Sequence, residues 1–226
     1  ILLAQRLFDK GEISQSRQIL NPIFKVKSLK DTLQTKAHIL LLDILERQLW
    51  TFKPQSPAFN NALKHYLSQL RKVSHYVWPQ ARLEIFAKNA FAFGDTQLAK
   101  ELYYQLIFSA KEVNIQWFEN IASLYLAEKQ YRPAARTYLQ AMPYTTTLAE
   151  RKRFFLLGVK ALQSGNLLAD AVAAGQTYIG FLAHDTEVLE YLTRLALAAN
   201  RPDIAQHYVS LLLKQRITPA STGATQ

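Results

Sequence analysis

Four turn positions, Gly94, Lys129, Gly165 and Asn200, stand 35, 36 and 35 residues apart. Small and large residues recur around them at fixed offsets. Ala87 lies seven before Gly94, Ala99 five after it and Tyr103 nine after it. Ala122, Ala134 and Tyr138 hold the same offsets from Lys129. Asn200 is followed by Ala205 and Val209, with Thr193 in the earlier slot. Gly165 is preceded by Gly158 and followed, one residue late, by Ala171. Gly11 repeats the pattern with Ala4, Ser16 and Leu20. A period held this way restricts the chain to a stack of similar units. Each unit reads as two antiparallel helices joined by a short turn. A small residue on each helix lets the backbones approach, and a large residue fills the space beside them. The turn needs a residue that tolerates the left-handed conformation in which the first helix ends. Gly94, Gly165 and Asn200 suit that position. Lys129 implies mild strain or a different turn.

The offsets predict six helix pairs: 1–10 with 13–26, 31–52 with 57–76, 79–93 with 95–110, 114–128 with 131–141, 147–163 with 167–182, and 186–199 with 202–215. The second pair departs most, with longer helices, Ala62 as its small residue and a turn at Lys53–Pro57. Pro79 and Pro202 suit first turns, where a missing N–H costs nothing. Asp95, Thr147 and Asp185 are placed as N-caps. Pro22 kinks or shortens the helix it falls in. Composition agrees: seven glycines and eight prolines in 226 residues are too few for a turn-dense β protein. The expected fold is all-α, an α-solenoid of about six antiparallel helix pairs over residues 1–217. The tail 218–226, "TPASTGATQ", is expected to be disordered. The chain opens on helix-forming "ILLAQRLF" without Met, which suggests a piece of a longer protein.

The absence of cysteine excludes disulfides and thiolate metal sites. No two of the five histidines stand at the helical spacing of a zinc motif. The chain contains neither a P-loop nor a Gly-x-Ser-x-Gly elbow. Glu187 and Glu190, three apart on one helix, do not face each other across a substrate. No catalytic residue, metal or cofactor is expected, and the chain is read as non-enzymatic. No stretch reaches the roughly 20 apolar residues of a membrane span. The net charge of +10 is uneven: residues 1–80 hold 12 Lys and Arg against 5 Asp and Glu, and the rest hold 15 against 12. An acidic partner, a polyanion or a solvated basic surface each fit that bias. In the neighbouring aromatics Tyr103-Tyr104, Trp117-Phe118 and Phe154-Phe155, one ring is expected in the core and the other outside.

The units "FAKNAFAFGDTQLAKELYYQLI" and "IASLYLAEKQYRPAARTYLQAMP" resemble the tetratricopeptide repeat, the second with Pro143 at the family's terminating proline. The resemblance implies a right-handed superhelix, with Gly11, Gly94, Ala99, Ala134, Gly165 and Ala205 as turn and packing positions. It also implies a concave lining from the first helix of each pair. Counting back from the turns, that lining comprises Glu84, Lys88 and Phe91; Gln116, Glu119 and Ser123; Lys152, Phe155 and Val159; and Glu187, Glu190 and Arg194. The family's clamp for acidic chaperone tails is not met, because Glu84, Lys88 and Glu119 stand where it wants Lys, Asn and Lys. A similar solenoid, the pentatricopeptide repeat, lacks the small–Gly–Ala triplet.

The segments "RKRFFLLGVKALQSGNLLADAVAAGQTYIG" and "DTEVLEYLTRLALAANRPDIAQHYVSLLLK", with the earlier "FAKNAFAFGDTQLAKELYYQLI", look like the periplasmic repeat region of bacterial exopolysaccharide export porins of the pellicle type. That resemblance implies the periplasmic portion of an outer-membrane-associated protein. It further implies a scaffold that docks a hydrolase or deacetylase acting on the polymer in biofilm formation. The alternative is direct binding of a polysaccharide through basic and aromatic residues of the concave face, with nucleic acid ranked below it.

Overall fold

The computed structural model describes residues 1–26 and 30–217, so the tail expected to be disordered lies outside the described residues. Among the described residues there are twelve α-helices and no strand. They fall into two compact units, divided after Glu112. The first holds α1 (Leu2–Asp9), α2 (Ile13–Leu20), α3 (Asp31–Leu49), α4 (Pro57–Val73), α5 (Gln80–Ala92) and α6 (Thr96–Ser109). The second holds α7 (Ile115–Ala127), α8 (Tyr131–Ala141), α9 (Leu148–Ser164), α10 (Leu168–Tyr178), α11 (Thr186–Ala198) and α12 (Pro202–Ile217). Each pair of helices packs as a hairpin. No helix of the described residues is long and apolar enough to cross a membrane.

Five of the six hairpins close with one backbone device. Gly11, Gly94, Lys129, Asn166 and Asn200 adopt φ of 85°, 77°, 58°, 56° and 55°. The next amide then reaches back to the end of the first helix: Glu12 to Leu7, Asp95 to Ala90, Gln130 to Tyr125, Leu167 to Leu162 and Arg201 to Ala196, all at 2.8–2.9 Å. This pairing satisfies carbonyls that the helix end leaves without partners. Lys129 therefore makes the same turn as its counterparts, at a local cost of about 1 kcal/mol for a side chain in the left-handed region.

Gly165 corrects the sequence reading. Its φ is −83°, and Asn166 takes the left-handed position instead. A Cβ on Gly165 would lie 2.5–2.8 Å from the ring and Cβ of Tyr131. Gly165 is small so that the start of α8 can cross close to α9. Gly158 has a related role, since a Cβ there would meet the Leu139 side chain at 2.8 Å.

The paired small residues are buried as their offsets require: Ala4 with Ser16, Ala87 with Ala99, Ala122 with Ala134, and Gly158 with Ala171. Ala205 is buried as well. The Ser16 hydroxyl donates to the Ala4 carbonyl at 2.7 Å, which satisfies a polar group inside that crossing. Val209 departs from the pattern. It is 39% exposed, and Tyr208 fills the core in its place. The offset of nine faces a following hairpin, and none follows α12 among the described residues.

Both rings of Trp117-Phe118 and both of Phe154-Phe155 are buried, contrary to the one-in, one-out expectation. The α9 helix packs against both α8 and α10, so two of its faces lie in the core. The expected caps form. Asp95 accepts from Leu98 N–H, Asp185 from Val188 N–H, and Thr147 and Glu150 make a reciprocal capping box. Pro22 ends α2 at Leu20, and a 3-10 turn, Asn21–Lys25, follows.

Candidate functional site

The expected lining residues divide into exposed, paired and buried. Glu84 and Lys88 pair with each other at 2.9 Å along α5, and Phe91 is half-buried with an edge contact to Tyr103. Gln116 bonds Asn120, and the Ser123 hydroxyl donates to the Asn120 carbonyl. Glu119 receives both terminal nitrogens of Arg153 at 2.8 and 2.7 Å, joining α7 to α9. Lys152 bonds Asp185 at 2.9 Å and Glu187 at 2.6 Å, joining α9 to α11. Hydrogen bonds to those two carboxylates raise the Lys152 pKa. Glu190 and Arg194 are exposed on α11.

Phe155 and Val159 cannot line a face, because both are completely buried. They lie on the side of α9 that the neighbouring hairpins cover. Of the expected set, the structure brings together Glu84 with Lys88 and Lys152 with Glu187. The first pair lies along one helix and the second joins two, and they do not converge on one point. Among the described residues no group of three His, Asp or Glu side chains is placed to hold a metal ion.

A different feature of the first unit gathers more chemistry. The turn forced by Pro22 lays Ile23 on the core of α1, α2 and α3 and sets Phe24 against His38, ring centroids 4.7 Å apart. A cleft of about 650 Å³ opens between this turn, α2, α3 and α4. Its volume lies in the range of ligand sites. Arg17, Lys25, His38 and His65 supply its basic groups, Asn21, Gln34 and Gln69 its carboxamides, and Phe24 and Tyr76 its rings. Among the described residues no carboxylate lines it. Arg17 is anchored by donating to Gln48 Oε1 at 3.1 Å and lies 3.5 Å from His65 Nε2. Burial, then the nearby His75, lowers the His38 pKa. Burial, then Arg17 and Lys72, lowers that of His65.

Reasoning on the repeat missed this cleft because it lies where the repeat fails. Two signals pointed to it: the basic excess of residues 1–80, and the three of five histidines, His38, His65 and His75, within them.

No family model and no curated protein matches the chain. Several solved structures resemble it, two of them as follows. One is described as "MamA RS-1 ArsTM double mutant", 16% identical, covering 81% of this chain and 97% of its own at a TM-score of 0.37. The other is described as "Functional Characterization of Pseudomonas Aeruginosa pilF", 14% identical, covering 97% of this chain and 90% of its own at a TM-score of 0.33. At such scores neither likeness bears on what this chain does, and the hairpin-repeat reading rests on its own turns and crossings.

Proposed function

We propose that the chain is a non-enzymatic scaffold that docks a protein partner. The observation that carries this reading is how the charged side chains are used. Where the repeat is regular they tie one hairpin to the next, as Arg153 to Glu119 and Lys152 to Glu187, and an open cleft remains in the first unit. A stack of hairpins presents extended surface on a rigid frame. The likeness of the second unit's sequence to the repeat region of exopolysaccharide export porins supports a finer version. In that version the partner is a periplasmic hydrolase or deacetylase of the exported polymer, and the chain holds it near the export pore.

The test is co-expression of the chain with the polysaccharide hydrolase or deacetylase of the same genome, followed by size-exclusion chromatography. Co-elution of the pair, with no polymer turnover by the chain alone, is the expected result. Turnover by the purified chain, or separate elution of the two, would remove this reading.

A further inference from the structure

We infer that the cleft of the first unit binds a carboxylate-rich peptide segment; the inference rests on the scaffold reading and names the chemistry of the partner's contact. Its charge comes first. Arg17 and Lys25 stand at a cleft that no carboxylate of the described residues lines, so an anion entering it meets no like charge among them. The Lys25 ammonium bonds no described residue, and the bond from Arg17 to Gln48 uses one terminal nitrogen of a five-donor guanidinium.

The half-buried carboxamides of Gln34 and Gln69 also bond no described residue. A carboxamide offers a donor and an acceptor together, the same pair that a peptide group presents.

The rings decide against a sugar. Stacking a pyranose needs an open aromatic face. One side of Phe24 is covered by His38 at an interplanar angle of 34°, and Tyr76 stacks on Trp78 at 28°. His38 and His75 crowd the rest of Tyr76. The electropositive edge of an aromatic ring suits a carboxylate.

The histidines add a dependence on pH. His38 faces Phe24, His75 and Tyr76, and His65 faces Arg17 and Lys72. Burial, with His75 beside the first and Arg17 and Lys72 beside the second, lowers both pKa values. A bound carboxylate favours their charged forms, so binding takes up protons and tightens as pH falls.

The experiment is fluorescence polarisation of labelled hexaglutamate on the whole chain at about pH 7.5 and about pH 5.5, with trigalacturonate as competitor. Saturable binding is expected, stronger at the lower pH and weakened about tenfold or more by Lys25→Gln, a variant that breaks no described contact. Arg17→Gln should act in the same direction. Unchanged affinity in Lys25→Gln, tighter binding of trigalacturonate than of hexaglutamate, or absence of saturation would each overturn the inference. If hexaglutamate fails while the partner enzyme still co-elutes, the scaffold reading stands and this cleft is not its contact. If the partner does not co-elute either, both fall.

Discussion

The two units build the same element, a helical hairpin, and differ at one of them, α3 with α4. In the second unit every hairpin closes with a left-handed residue and a returning amide, and neighbours are tied by ion pairs such as Arg153–Glu119 and Arg132–Asp170. In the first unit the long α3 and α4, of 19 and 17 residues, are joined through Gln55 at φ 65°, without the returning bond to the helix end. Their contact with the next hairpin adds aromatic rings to ion pairs: Phe93 meets Trp50 and Tyr66, the Asn89 amide donates to the Tyr66 hydroxyl at 2.9 Å, and Arg82–Asp43 and Arg71–Asp95 pair at 2.8 and 2.6 Å. Regular spacing brings matched surfaces together and fills them. Irregular length leaves a recess, and the basic, histidine-bearing cleft occupies that recess.

The largest expected effect tests whether α9 is core on the side read from sequence as a lining. Phe155→Ala should cost about 3–5 kcal/mol, the usual cost of truncating a buried aromatic, measured by urea unfolding. A neutral result would return Phe155 to the binding face. Next in size are the glycines. Gly165→Ala should cost about 1–3 kcal/mol through overpacking against Tyr131, whereas Gly94→Val should cost about 1–2 kcal/mol through backbone strain with space to spare. Lys129→Gly should move the other way, gaining up to about 1 kcal/mol. A loss there would mean that the left-handed turn carries no strain in that hairpin.

Smaller effects separate the two kinds of joint. A double-mutant cycle on Arg153 and Glu119 should give a coupling of about 0.5–1 kcal/mol that shrinks in high salt. The cycle on Trp50 and Phe93 should give about 0.5–1.5 kcal/mol and hold in high salt. Equal salt dependence at both would erase the contrast between these two contacts.

The smallest effect concerns pH. His38 and His65 have folded pKa values below 6.5, so their contribution is intact above that pH and is lost as pH falls toward the folded values. Asp43 and Glu46, raised chiefly by burial, work in the opposite sense at lower pH, where protonation relieves them. His38→Gln should therefore flatten the fall in melting temperature just below pH 6.5. An unchanged profile would mean that His38 takes up its proton without cost.

The hairpins were legible because a helix crossing demands a small residue at a defined height, and such demands recur with the period. Ala87, Ala99, Ala122 and Ala134 were found that way. Gly165 was misread because a glycine next to a turn can serve the turn or the crossing, and only the position of Tyr131 decides which. Phe155 was misread because counting back from a turn gives a height on the helix but not how many neighbours surround it. The cleft was illegible as a site. Its members come from α2, the turn after Pro22, α3 and the far end of α4, and no sequence spacing joins Arg17 to His65. Only the charge imbalance and the histidines signalled it.

The ion pairs that join successive hairpins have a mechanical meaning. Each hairpin of the second unit is closed by backbone bonds and buried side chains, which salt barely touches. The joints between hairpins carry part of their strength as exposed charge, at Arg132–Asp170 and Arg153–Glu119. The charged part of these joints therefore answers to the surrounding electrolyte, while the buried packing of α8 on α9 does not.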